Sequence, residues 1–291
     1  MLSKITFKPI EKKMRSRISF LTSAASYYYT ARRSIGSSSP RSSPRSVAPL
    51  DDGDVGEALK LKPLRVVMDI DECMVHAHMF GDENDPNKTV RSNKNWAVKR
   101  STDDEEASRN RSSVPSLRIM MEDDTPVHIY IRPGLKDFLT EVSKIAEVYA
   151  FTAGLPVYAR PVIKELDPAG TIFKTVLYRE DCTQVRTVDK MFYSKDLKSF
   201  GKDVFDPERT ILVDNNILSF VMQPNNGVHI KDFYDSPDDA ELSKVLELIS
   251  YLVFVPDVRE PLKKIYDIEK SLKQMGLTWN QKSSSHSHRR F

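Results

Sequence analysis

Three short apolar runs in this chain each stop at polar residues, and that pattern limits the fold more than any other feature. LRVVM (64–68) ends at Asp69, EVYAF (147–151) at Thr152, and TILV (210–213) at Asp214 and Asn215. The runs are close to continuously apolar, as strands buried on both faces must be. Between them, Leu135, Phe138, Leu139, Val142 and Ile145 fall at helical spacing. A second helix is expected over Leu155–Leu166, kinked by Pro161. Phe173–Leu177 reads as a further short strand. Strands alternating with helices predict an α/β fold built on a parallel sheet. Ligands of such open sheets bind at the carboxyl ends of the strands, which is where these polar terminations would gather.

Other segments attach to that frame. LRIMM (117–121), the turn EDDTP and VHIYI (127–131) predict a β-hairpin with Val127, Ile129 and Ile131 on one apolar face. A long helix is expected to start near Ser236-Pro237-Asp238, with a stripe at Leu242, Val245, Leu246, Ile249, Leu252 and Val253. A second helix is expected through 258–274. Residues 80–116 are charged and irregular and read as a disordered insertion. The organisation expected is therefore a basic segment 1–60, a domain 61–255 carrying the insertion, and a C-terminal helix and tail 256–291.

The formal net charge of +3 is unevenly spread. Residues 1–50 hold ten Lys/Arg and one acid, Glu11, which leaves 44 − 10 = 34 bases against 41 − 1 = 40 acids in the remainder. The body is thus acidic and gives no reason to expect direct nucleic-acid binding. The Ser/Arg-rich, acid-poor N-terminus fits an organelle transit peptide and equally a solvated tail with Ser39-Pro40 and Ser43-Pro44 as kinase sites. A secretory signal fits less well, because the apolar stretch around Ile18–Ala25 is short. No run of 18 apolar residues is present, so no transmembrane helix is expected. Two cysteines, Cys73 and Cys182, exclude a disulfide framework and a cysteine zinc site.

The chemistry centres on DIDEC (69–73). Two carboxylates ~6 Å apart repel by roughly 3 kcal/mol at an effective dielectric near 20, so a cation is needed beside them. An aspartate can attack phosphorus and split one displacement into two, and a second acid can protonate the leaving alkoxide. Mg²⁺ binds through one or two carboxylates plus substrate phosphate; Asp69 and Asn215 could flank it, with Lys195 neutralising the transferring group. A cysteine nucleophile would need an arginine six residues on, where Met79 and Val188 stand. His76 and His78, at alternate positions after the carboxylates, give little reason to expect a metal role, and Cys182 reads as a packed thiol and not a reactive one.

The motifs DIDECMVH, RPGLKDFL, FTAGLPVYA, YREDC, YSKDL and ILVDNN, in that order, resemble the FCP-homology phosphatases of the haloacid dehalogenase superfamily. These include small phosphatases acting on the RNA polymerase II C-terminal domain. The resemblance covers about residues 62–255 and implies a Rossmann-like sheet with a small β-hairpin insertion. It further implies Asp69 as nucleophile and Asp71 as general acid/base, Asp71 also giving its backbone carbonyl to Mg²⁺. Thr152 and Lys195 match the phosphate-binding residues; Asn215 matches a direct metal ligand and Asp214 its support. Cys73 departs from the usual Thr, and a raised thiolate fraction there would make the enzyme oxidation-sensitive.

The expected activity is Mg²⁺-dependent hydrolysis of phosphoserine or phosphothreonine in proteins, Ser-Pro peptides of the polymerase tail type among them, by a monomer. The alternative is a polypeptide-binding domain like that of the mitochondrial presequence-import receptor. That receptor resembles a membrane-anchored protein, and no spanning helix precedes residue 62 here. Location follows the same split: nucleus or cytoplasm from the resemblance, mitochondrion or plastid from the basic N-terminus.

Overall fold

The computed structural model describes residues 61–79, 114–187 and 191–277. The N-terminal segment on which the transit-peptide and solvated-tail expectations rest, most of the 80–116 insertion and the Ser/His-rich C-terminus lie outside them.

The central sheet has five strands in the order β10-β9-β1-β5-β6. They are β1 (Arg65–Met68), β5 (Glu147–Phe151), β6 (Phe173–Leu177), β9 (Thr210–Asp214) and β10 (Gly227–His229), and every pairing is parallel. Strand residues alternate between two cores. Val66, Met68, Val148, Ile211 and Val213 join one cluster, while Val67, Tyr149, Phe151 and Leu212 join the other. This period of two explains why the strands read as apolar at successive positions: each face is covered.

The first core is closed by helices α1 (Leu135–Ile145), α2 (Pro156–Leu166) and α3 (Glu241–Leu252). The stripe expected on α1 is buried as read, and Gly134 supplies its left-handed N-cap at φ 76°. Pro161 lies inside α2 and cannot donate to the Val157 carbonyl. That carbonyl accepts Glu122 N of the hairpin turn at 3.2 Å instead, so the proline's missing bond docks a neighbouring element.

α3 starts at Glu241, later than the expected 236–238. Asp239 accepts the Glu241 N–H at 3.1 Å and is also claimed by Arg132, which fixes the helix entry. Leu248 is buried on α3 beyond the expected stripe, and Leu246 is half-buried against the same core. Buried Arg209 serves the other end, donating to Leu252 O at 3.2 Å, Val253 O at 2.9 Å and Val255 O. The carbonyls that the helix terminus leaves unpaired are thereby satisfied by a cation.

The helix expected over 258–274 is two, α4 (Arg259–Tyr266) and α5 (Ile268–Gln274), broken at Asp267 with φ 42°. Leu262 packs in the first core, Ile268 and Leu272 in the second. Apolar spacing alone could not show the break.

The predicted hairpin is β3 (Ser116–Met120) and β4 (Pro126–Ile131), and it gains a third antiparallel strand, β2 (Val75–Met79), paired to β4. β2 was not foreseen because VHAHM is short and half polar. Val114 is buried just before β3, so order resumes inside the stretch read as insertion. A second unforeseen hairpin joins β7 (Thr183–Arg186) to β8 (Met191–Ser194). The parallel sheet with flanking helices and a small β insertion is the architecture the resemblance implied.

Candidate active site

Register places the polar strand ends together. Met68 of β1 pairs with Ala150 of β5 and Val213 of β9, so Asp69, Asp214 and Thr152 follow within two residues of one level. Asp69 N donates to Val213 O at 3.0 Å, extending the pairing to the carboxylate itself. Asp69, Asp214 and Thr152 are all buried.

Lys195 enters from the end of β8, where its N–H donates to Ser219 O at 3.1 Å. Its Nζ is 2.5 Å from Asp69 Oδ1 and 2.5 Å from Asp214 Oδ2. Burial works to lower the lysine pKa, but Asp214 and Asp69 outweigh it and hold the ammonium above its ordinary range. Asp214 uses its other oxygen to accept Asn216 N at 2.7 Å, which turns the chain sharply after β9.

Asp71 is less buried, and both its oxygens are held. Tyr158 O–H donates to Oδ1 at 2.6 Å, and Thr152 Oγ1 donates to Oδ2 at 3.2 Å. Thr152 Oγ1 in turn accepts Gly154 N at 2.8 Å. A Cβ on Gly154 would sit 3.0 Å from that hydroxyl and 3.6 Å from Asp71 Oδ2, so the loop needs the small residue for this close approach. Burial first, then Asp71, pushes the Tyr158 phenol well above its usual range, keeping it a donor.

The loop 69–74 is fixed from behind by Arg132, which is fully buried. It makes a bidentate pair with Asp239 at 2.7 and 2.8 Å and donates to Cys73 O at 2.9 Å and Lys231 O at 2.7 Å. Cys73 points its thiol at Val213 O, 3.8 Å away. Burial, then Asp69 and Asp214, push this thiol well up. The raised thiolate fraction that oxidation sensitivity requires is therefore not met.

Asn215 donates from Nδ2 to Asp232 Oδ1 at 2.8 Å, while its Oδ1 is buried with no hydrogen-bond partner. His229 Nε2 lies 2.8 Å from the Asn215 carbonyl. Among the described residues, no three His, Cys, Asp or Glu side chains could hold a metal by themselves. A site for Mg²⁺ would instead draw on mixed oxygens and water, which is what that ion favours. The bare Asn215 oxygen fits such an ion. So does the charge: Asp69, Asp71 and Asp214 against Lys195 leave a formal −3 + 1 = −2.

All the sequence-predicted residues thus converge on this end of the sheet. Tyr158, Arg132, Asp232 and His229 are the additions. Tyr158 lies in a quoted motif, FTAGLPVYA, three residues after Leu155, which is one helical turn. Arg132 opens another quoted motif, RPGLKDFL, whereas Asp232 and His229 gave no local signal.

The chain is 36% identical over 148 residues to the Probable C-terminal domain small phosphatase of Dictyostelium discoideum, covering 50% of this chain and 46% of that protein. It is 35% identical over 149 residues to the Carboxy-terminal domain RNA polymerase II polypeptide A small phosphatase 1 of Homo sapiens, covering 50% and 54%. With the CTD nuclear envelope phosphatase 1 homolog of Drosophila melanogaster the identity is 29% over 203 residues, covering 68% and 71%. The chain spans about half the length of the first two relatives. A solved structure of Fcp1, an essential RNA polymerase II CTD phosphatase, is similar at a TM-score of 0.40 and 19% identity over 81% of this chain and 59% of that one. Residues 64–259 match the family described as NLI interacting factor-like phosphatase, and the chain belongs to that family.

Proposed function

We propose that this protein is a Mg²⁺-dependent phosphatase that hydrolyses phosphoserine or phosphothreonine esters in proteins through a phospho-Asp69 intermediate. The observation that carries the reading is Asp69 itself: a buried carboxylate at a strand end, charge-compensated by Lys195 at 2.5 Å and set two residues from the doubly anchored Asp71.

In this reading an Asp69 oxygen attacks phosphorus and the bond to the seryl or threonyl oxygen breaks. Asp71, as the acid, gives that oxygen a proton and is left as carboxylate. It then takes a proton from the water that attacks the acyl phosphate, releasing inorganic phosphate and restoring both aspartates. Oδ2 is the oxygen suited to this exchange, since its bond from Thr152 is the longer one. Thr152 can then turn its hydroxyl to a phosphate oxygen. Lys195 stays protonated and offsets the negative charge that gathers on phosphorus. Asp69, the Asp71 carbonyl and Asn215 Oδ1 would hold Mg²⁺, which when bound supplies positive charge to the phosphoryl oxygens.

The cluster supports hydrolysis over a purely polypeptide-binding role, which would need none of it. The names of the relatives make phosphopeptides of the RNA polymerase II C-terminal domain the first substrates to assay. Asp69→Asn is expected to abolish phosphopeptide hydrolysis while leaving the fold intact, and EDTA to abolish the activity of the unaltered protein until Mg²⁺ is restored. Full activity of the variant, or of the protein in excess EDTA, would overturn the mechanism.

A further inference from the structure

Asn215 has one amide with two unlike ends, and its neighbours decide which end faces inward. Nδ2 donates to Asp232 Oδ1 at 2.8 Å, and Oδ1 is the buried atom without a partner. A carboxylate only accepts hydrogen bonds. Turning the amide over would press oxygen against the Asp232 carboxylate and leave the nitrogen bare in the site. A bare oxygen suits a hard cation; a bare amide nitrogen does not.

Asp232 is exposed, and an exposed aspartate is ordinarily a solvated charge of no consequence. Its backbone surroundings are unusual for such a residue. On one side Lys231 O accepts Arg132 Nη2 at 2.7 Å. On the other, Phe233 N donates to Glu72 O at 2.8 Å, and the Phe233 side chain is buried. Ile230 N donates to Asp214 O at 3.1 Å, and His229 Nε2 lies 2.8 Å from the backbone carbonyl of Asn215. The loop carrying Asp232 is therefore bonded to the loop after β1 and to both residues after the β9 core.

We infer that Asp232 is a positioning residue for the metal end of the site: it fixes the Asn215 amide so that the oxygen is presented to the cation. This rests on the metal role given to Asn215 above. Residues that bond and orient a metal ligand without touching the metal typically change metal affinity ten- to a hundredfold when removed.

Calorimetric titration of Mg²⁺ into the full chain without substrate tests it, with the Mg²⁺-dependent rise in melting temperature as a second readout. Saturable binding is expected for the unaltered protein; its absence would overturn the metal role itself, before any question of the tether. Given that binding, Asp232→Ala is expected to weaken Mg²⁺ about tenfold or more, with the metal-free melting curve unchanged. Asp232→Asn, which keeps an acceptor for Nδ2 but not the charge, is expected to lose clearly less. Unaltered affinity in Asp232→Ala would overturn the inference. Equal losses in the two variants would overturn it too, because charge and not orientation would then be what Asp232 supplies.

Discussion

Tyr158 does for Asp71 what no strand-end motif announces. Its hydroxyl is 2.6 Å from Oδ1, nearer than Thr152 is to Oδ2, and both residues come from the segment after β5. A hydrogen bond to an ionisable partner is worth about 1.5–3 kcal/mol. Tyr158→Phe keeps the ring's packing and removes only that bond. The phosphatase rate is therefore expected to fall roughly ten- to a hundredfold, mainly in kcat, with little change in substrate affinity. Steady-state kinetics on a phosphopeptide check this, and an unchanged kcat would show that Thr152 alone orients Asp71. At this scale the sequence was informative about which residue types stand at strand ends. It was silent on their second partners, because a tyrosine one helical turn into α2 reads as core.

Two buried arginines show what holds the elements in place. Arg209 caps the C-terminus of α3, and Arg132 ties the loop after β1 to the loop after β10 and to the start of α3. Asp239, the partner of Arg132, has a side chain only 7% exposed, so removing the arginine strands a charge away from water. Breaking such a pair from one side costs about 3–5 kcal/mol. Arg132→Met is expected to lower unfolding stability by that order in urea melts, and adding Asp239→Leu to recover part of it. A loss below about 1 kcal/mol would mean water reaches Asp239 freely. The helices α1 and α2 and the buried strands were legible because periodicity reports burial. β2, the β7–β8 hairpin, the late start of α3 and the break at Asp267 were not, because each is set by polar contacts or a single backbone angle.

For the whole molecule, the titration of its buried site has a consequence for stability. The thiol of Cys182, ordinarily near 9.0, is pushed up to about 12 by burial. Cys73 and Tyr158 are raised as well, burial being the first cause for each. Lys195 is held above its usual value because Asp214 and Asp69 outweigh the opposing effect of burial. All four make the folded chain keep protons that the unfolded chain releases, and stability falls with pH wherever the folded state binds more protons. The urea midpoint in EDTA is therefore expected to hold steady from neutral pH up to the thiol's ordinary value of 9.0 and to drop as pH rises above it. A flat midpoint across that range would show that these groups titrate alike in both states. The sequence by itself determined the parallel α/β frame, the polar residues Asp69, Thr152 and Asp214 that end its buried strands, and the resemblance carried by the ordered motifs. Only the tertiary structure decided how those residues are held. Tyr158 reaches Asp71 across 87 positions, Arg132 reaches Asp239 across 107, and Asp232 meets Asn215 across 17. Apolar periodicity is a local record of which face is buried. The partner of a polar side chain is fixed by sheet register and loop path, which no window of sequence contains.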